Sequence, residues 1–119
     1  MMRPADDLPA VYLCATPVDF RKGMHSLAVM VESDLQRDPF TEGLFVFCNR
    51  PRTSIKMLYW ARNGFCLWQK RLEKERFFWP RAEPQAIVEL TVEQLNWLLD
   101  GYDIRRMKPH KKLHYRSVL

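Results

Sequence analysis

The acidic and histidine side chains are the first candidates for catalytic chemistry in this sequence. Metal-dependent cleavage of a phosphodiester needs about three converging carboxylates, but the acidic residues of this chain lie mainly in predicted helices and turns. Asp19 stands between a predicted strand and a predicted helix, where helix capping is its commoner role. His110 and His114 lie in a basic segment without a nucleophile motif. The sequence therefore predicts a protein without catalytic residues, cofactor or independent active site.

The three cysteines are spaced too widely for a structural metal site. Cys14, Cys48 and Cys66 form no C-x-x-C pair, and each lies in an apolar run. We expect three reduced side chains that pack as small hydrophobic residues, and no bound metal.

Positive charge is concentrated in two blocks. The net charge is +7 over residues 50–81 and +5 over residues 101–119, whereas residues 1–49 and 82–100 carry −3 and −4. This asymmetry is typical of proteins that contact a polyanion, most often nucleic acid. The small net charge of the whole chain, +5, also fits a merely solvated surface.

The segment 55–72, IKMLYWARNGFCLWQKRL, contains the strongest structural signal. Asn63-Gly64 predicts a hairpin with a two-residue loop, in which Lys56 and Arg71 are neighbours. One face of the hairpin is then apolar, and the other is apolar near the turn and basic toward its open end. The cations would suit phosphate contacts, or would protect an edge strand from aggregation.

The candidate DNA-contacting cations come from three segments: the start of the first helix, the hairpin with the turn before it, and the C-terminal tail. Lys74 and Arg76, just after the hairpin, could converge with them. The candidate set is Arg21, Lys22, Arg50, Arg52, Lys56, Arg62, Lys70, Arg71, Arg105, Arg106, Lys108, Lys111 and Lys112.

Aromatic residues are dense in and after the hairpin. Interleaved with cations they could stack on bases, although such residues more often belong to the core. We assign Tyr59 and Trp68 to the core, and Trp60, Phe65 and Trp79 to a surface for protein contacts.

The elements that must position these side chains follow from periodicity. Apolar runs predict strands at 10–15, 43–49, 55–62, 65–72 and 86–91, of which 43–49 is buried on both faces. Apolar residues at helical spacing predict a first helix from about Phe20, capped by Asp19. Thr91, with Gln94 three residues later, predicts a capping box for a second helix that ends before Gly101.

These elements predict an α+β fold, β-α-β-β-β-(β)-α, built on a small antiparallel meander of four to five strands, with two helices covering one face. The predicted organisation is a flexible N-terminus at 1–9, one domain at 10–102 and a basic C-terminal arm at 103–119. No apolar run is long enough for a membrane helix, and the N-terminus lacks the features of a secretory signal. We expect a cytoplasmic protein, nucleoid-associated if it binds DNA.

Four motifs together resemble a known family. VDFRKGMHSLA, DPFTEGLFVFCNR, IKMLYWARNGFCLWQKRLEKERFFWP and LTVEQLNWLLDG are similar, in order and spacing, to the TnpB-type, second-reading-frame accessory proteins of bacterial insertion sequences in the class numbered sixty-six. The resemblance covers roughly residues 10–102. This chain departs from the usual pattern at Ala61-Arg62 and at His25-Ser26, and the first departure makes the hairpin tip more basic.

The resemblance implies a small protein encoded beside a separate DDE-type transposase and needed for efficient transposition. The resemblance assigns no catalytic residues to this chain. Two hypotheses follow: a non-enzymatic factor that binds DNA, at transposon ends or non-specifically, and contacts the transposase or other element-encoded proteins; or an adaptor that binds the transposase alone.

Overall fold

Five strands and two helices form the described part of the chain. A computed structural model describes residues 10–41, 43–80 and 87–107. The elements are β1 Ala10–Cys14, α1 Met24–Ser33, β2 Gly43–Cys48, β3 Ser54–Ala61, β4 Gly64–Arg71, β5 Ile87–Leu90 and α2 Val92–Leu99. This order confirms the predicted α+β class, while the predicted flexible segment 1–9 lies outside the described residues.

The strands form one sheet in the order β4-β3-β2-β1-β5. β2, β3 and β4 make the predicted antiparallel meander, and β5 pairs antiparallel with β1. β1 and β2 are parallel, which corrects the prediction of a wholly antiparallel meander. The cause is α1, because a helical crossover returns the chain to the end of the sheet where β1 began.

The two helices cover opposite faces of the sheet, not one face as predicted. Leu27 of α1 packs in a cluster with Phe45, and Leu98 of α2 packs in a second cluster with Val46. Successive strand residues point to opposite faces, and all six residues of β2 are buried. A strand that is apolar on both faces needs cover on both sides, and one helix supplies it on each.

Helix α1 begins later than predicted. Gly23 is its N-cap and Met24 its first residue, so Asp19 does not cap it. The Asp19 carboxylate instead accepts the backbone N–H of Arg21 at 2.9 Å. Such a local side-chain bond competes with helix formation and keeps this segment in a loop.

The hairpin loop lies one residue before the predicted position. Arg62 and Asn63 form the loop, and Gly64 already pairs with Ala61. Arg62 has φ +57, and the Asn63 N–H donates to the Ala61 carbonyl at 2.6 Å, the i to i+2 bond of a γ-turn. The register differs by two residues from the predicted one, so the side chains keep their predicted faces.

Helix α2 has both predicted caps. Thr91 Oγ1 accepts the N–H of Gln94 at 3.1 Å, and the Thr91 N–H donates to Gln94 Oε1 at 2.9 Å. Gly101 has φ +93, and the chain then continues to Ile104, which is buried in the cluster beneath α2. The start of the predicted basic arm is thus packed on the domain. None of the helices in the described ranges has the length and apolar character to span a bilayer.

A candidate nucleic-acid interface at the basic end of the sheet

One end of the sheet gathers basic loops from separate parts of the sequence. β1, β2 and β4 finish there, and β3 and β5 begin there, as the strand registers require. We call it the basic end, and its loops are 15–23, 49–53, 72–80 and 103–107. The opposite end, where β3 turns into β4, is called the hairpin tip.

Asn49 organises the turn between β2 and β3. Its Oδ1 accepts the backbone N–H groups of Thr53 and Ser54 at 2.9 and 3.0 Å, and its Nδ2 donates to Thr53 Oγ1 at 3.0 Å. This network fixes a turn in which Arg52 has φ +62 and Arg50 is exposed. The sequence-based candidate set does not contain Asn49, although a polar residue before a basic Arg-Pro-Arg-Thr turn is a recognisable turn signal.

Lys56 ties the β1–α1 loop to the sheet. Its Nζ donates to the carbonyls of Phe20 at 2.8 Å and Lys22 at 2.9 Å, and it lies 4.9 Å from the Phe20 ring centroid. Only 7% of Lys56 is exposed. The sequence places Lys56 among the DNA-contacting cations and beside Arg71. In the structure the ammonium is instead bonded to these two carbonyls, and the residue opposite Lys56 on β4 is Gln69.

The segment 72–80 is fastened to the same turn. The Phe77 N–H donates to the Arg52 carbonyl at 2.7 Å, and Trp79 Nε1–H donates to the Cys14 carbonyl at 3.0 Å. Trp79 is only 3% exposed and belongs to the core on the α2 side. Its expected role in protein contacts is therefore not supported by its position.

Phe78 is the outward-facing member of this aromatic triplet. It is 47% exposed between the buried Phe77 and Trp79. Trp79, and not Phe78, was predicted from the sequence to make protein contacts. Alternation of extended residues places Phe78 and Trp79 on opposite sides of the segment but does not tell which of them faces the core.

Two open clefts lie on either side of the 49–53 turn. A cleft of about 420 Å³ contains Arg21 and Arg50, together with Asp19. A cleft of about 630 Å³ contains Arg52 and basic residues of the two following segments. The basic end thus presents cations from four loops and from the last residue of β4: Arg21, Lys22, Arg50, Arg52, Arg71, Lys74, Arg76, Arg105 and Arg106.

Carboxylates pair with three of these arginines: Asp19 with Arg21, and Asp103 with Arg105 and Arg106. Arg21 pairs with Asp19 at 2.6 Å, and this hydrogen bond lowers the pKa of Asp19 to about 2. Arg105 pairs with Asp103 at 2.9 Å and in the same way lowers the pKa of that carboxyl. Each arginine stays charged, and a planar guanidinium held on one edge still offers donors to a phosphate.

Other predicted cations do not join the basic end. Lys70 Nζ donates to the Leu99 carbonyl at 2.7 Å, at the C-terminus of α2, where a cation is favourable. Arg62 lies at the hairpin tip. The predicted contacts at Lys108, Lys111 and Lys112 lie outside the described residues.

A separate aromatic cluster stands near the hairpin tip. The rings of Phe40, Trp60 and Phe65 lie within 5.0–5.3 Å of one another, centroid to centroid. Phe40 is 53% exposed. Its loop sits beside the hairpin because β2 starts at this end, so sequence spacing alone gives no sign of the contact. We call these three residues the tip cluster.

Cysteine and metal chemistry add little to either end. Cys14, Cys48 and Cys66 are free thiols, as predicted, and burial raises the pKa of Cys48 to about 12. Within the three described ranges, no three His, Cys, Asp or Glu side chains are grouped so that they could hold a metal ion.

The fold and the basic end define a small α+β protein with a candidate polyanion-binding surface. The chain belongs to the family described as "IS66 Orf2 like protein", whose profile matches residues 9–109. This confirms the resemblance and makes the chain an insertion-sequence accessory protein.

Two proteins of Sinorhizobium fredii are similar to it along most of their length. One, named uncharacterized protein y4hO, is 38% identical over 87% of this chain and 90% of the relative. The other, uncharacterized protein y4jC, is 33% identical over 82% of this chain and 83% of the relative. No solved structure matches the chain.

Proposed function

We propose that this accessory protein serves transposition without catalysis, by binding DNA through the basic end and contacting the separate transposase. The observation that supports DNA binding is the convergence of exposed arginines and lysines from four loops on one end of the sheet. Arg–phosphate hydrogen bonds are strong, independent of base sequence, and sensitive to salt. DNA binding of this kind positions a protein on a duplex without specifying a sequence.

The basic end is suited to this role because its loops are fixed before DNA arrives. The turn carrying Arg50 and Arg52 is held by Asn49, and the loop carrying Arg21 is held by Lys56. Side chains presented from a fixed backbone lose less conformational entropy on binding than those on a mobile loop.

The test uses a variant with Arg50→Gln, Arg52→Asn and Arg71→Gln. Its binding to transposon-end and random duplexes is measured by fluorescence anisotropy. Asn is chosen at Arg52 because it tolerates the left-handed backbone found there. We expect affinity at low salt to fall at least about tenfold for both duplexes, since charged hydrogen bonds are lost. Unchanged affinity, or no binding by the unaltered protein, would contradict the proposal.

The same preparation tests the absence of catalysis. We expect transposon-end DNA to stay intact when it is incubated with this protein and magnesium. Cleavage that tracks the protein through purification would show that the protein is a nuclease and would contradict the non-catalytic role.

Transposase contact is the second part of the proposal, and the tip cluster supports it. Exposed aromatic side chains are frequent anchors of protein interfaces, and this cluster lies at the end of the sheet away from the basic end. If the protein is an adaptor only, the tip cluster would account for all of its binding.

Co-purification separates the two roles. We expect Phe40→Ala with Trp60→Ala to reduce recovery of the transposase while leaving duplex affinity unchanged. Phe78→Ala, an exposed aromatic at the basic end, is the matched control and should leave transposase recovery intact. If both variants lose transposase recovery equally, the tip cluster no longer supports the proposed transposase contact.

A further inference from the structure

The larger cleft at the basic end combines an exposed aromatic ring with cations. It lies between the 49–53 turn and the 72–80 segment, and its volume is about 630 Å³, within the usual range for a small-ligand site. Phe78 lines it together with four cations, Arg52, Lys74, Arg76 and Arg105.

The Phe78 ring is held outward by its two neighbours. Phe77 is anchored by its backbone bond to Arg52, and Trp79 by the indole bond to Cys14. Both neighbouring side chains are buried, at 2% and 3% exposure, while Phe78 is 47% exposed. The ring therefore meets solvent in a fixed direction, where a partner in the cleft can pack on it.

The charges of the cleft indicate what could cover the ring. Glu75 lines the cleft and Asp103 pairs with Arg105, so the four cations outnumber these two carboxylates. A purely apolar partner would leave the cations without counter-charge. A nucleotide strand offers both a flat apolar surface and a phosphate on each side of it.

We propose that this cleft binds single-stranded nucleic acid, with one unpaired base stacked on Phe78 and the flanking phosphates bound by Arg52, Arg76 and Arg105. The inference rests on the proposed DNA binding by the basic end and narrows its substrate class. In a duplex the base faces are covered by neighbouring base pairs, so Phe78 can stack only on a base that is unpaired or displaced.

The test compares two strands of equal charge, a short oligothymidylate and an abasic strand of the same length. Stacking on an aromatic side chain is tolerant of sequence and contributes substantially per base. We expect Phe78→Ala to weaken oligothymidylate binding roughly tenfold and to leave binding of the abasic strand unchanged. Phe78→Tyr should retain the affinity of the unaltered protein.

Two controls guard against indirect effects. Phe40→Ala removes a similarly exposed phenylalanine at the hairpin tip and should not alter binding of either strand. Far-UV circular dichroism of each variant should match that of the unaltered protein, because both side chains are exposed.

The outcomes distinguish this inference from the proposed function. If duplex and single strand both bind but Phe78→Ala does not affect oligothymidylate, the stacking site is wrong and DNA binding by the basic end stands. If no DNA binds at low salt, both fail. If polyglutamate displaces oligothymidylate and its own binding depends on Phe78, the cleft is a site for acidic protein segments, and the inference is overturned.

Discussion

The basic end and the hairpin tip are built in different ways. At the basic end, buried or half-buried groups such as Lys56, Trp79 and Asn49 bond to the backbone and fix the loops. At the hairpin tip, the loop that carries Phe40 is held by local, exposed bonds, such as that from the Phe40 N–H to Asp38 Oδ1 at 2.9 Å, and the rings of the tip cluster lie on the strands. The difference indicates that the basic end is made to hold charged side chains in place.

Two arginines show how strongly position decides the role of a cation. Arg52 and Arg62 both have left-handed backbone, with φ +62 and +57. Arg52 lies in the turn after β2, beside other cations of the basic end. Arg62 lies in the γ-turn at the opposite end of the sheet. Of these two arginines, only Arg52 is placed to contact the same DNA backbone as the other cations of the basic end.

The largest expected effect concerns Trp79, which fastens the basic end. Trp79→Ala should lower the free energy of unfolding by about 3–5 kcal/mol, because a buried ring and its hydrogen bond are both lost. Urea denaturation measures this change.

Trp60→Ala, at the half-buried tip cluster, is the comparison for Trp79→Ala. It should cost only about 1–2 kcal/mol. Equal losses for the two variants would mean that the basic end and the hairpin tip are held with similar strength.

A smaller effect is expected at Lys56. Lys56→Met should cost about 2 kcal/mol, because the carbonyls of Phe20 and Lys22 lose a charged donor while the desolvation penalty of the buried ammonium is relieved. Lys74→Met, at an exposed lysine of the same end, should change stability by less than about 0.5 kcal/mol. Matching urea midpoints for these two variants would show that Lys56 does not stabilise the protein by holding the β1–α1 loop to the sheet.

The smallest effect concerns the exposed pair of Asp19 and Arg21. Because the carboxyl pKa is depressed from 3.8 to about 2 in the folded state, its stabilising contribution is complete above the ordinary pKa. It is lost as pH falls through about 2. NMR titration of the Asp19 carboxyl should show this low pKa, and Arg21→Gln should return it toward 3.8. An unchanged pKa in that variant would mean that Arg21 does not hold Asp19.

Local signals in the sequence predicted much of this fold. The capping box at Thr91 and the buried strand 43–49 were both predictable, since each depends on residues close together in the chain. The parallel pairing of β1 and β2 was not, because it depends on how α1 crosses the sheet. The hairpin loop was misplaced because Arg62, a residue with no special preference for left-handed backbone, takes the conformation expected for Asn63.

The candidate site was less predictable than the fold. Sequence spacing grouped Lys56, Arg62, Lys70 and Arg71 in one hairpin, but alternation and chain reversal send these four side chains to different surroundings. Lys56 is buried against a loop and Lys70 caps a helix. The exposure of Phe78 follows from the burial of its neighbours, which requires knowing that both reach the core on the α2 side.

The most direct test of DNA binding by the basic end uses the matched substitutions Arg52→Asn and Arg62→Asn. Both remove one positive charge from a left-handed position, at opposite ends of the sheet. Duplex affinity is measured across a series of salt concentrations, and the slope of log K against log salt reports the number of phosphate contacts. We predict that Arg52→Asn makes the slope shallower by about 0.9 and that Arg62→Asn leaves it unchanged. Equal slopes for the two variants, or a shallower slope for Arg62→Asn alone, would contradict the assignment of DNA binding to the basic end.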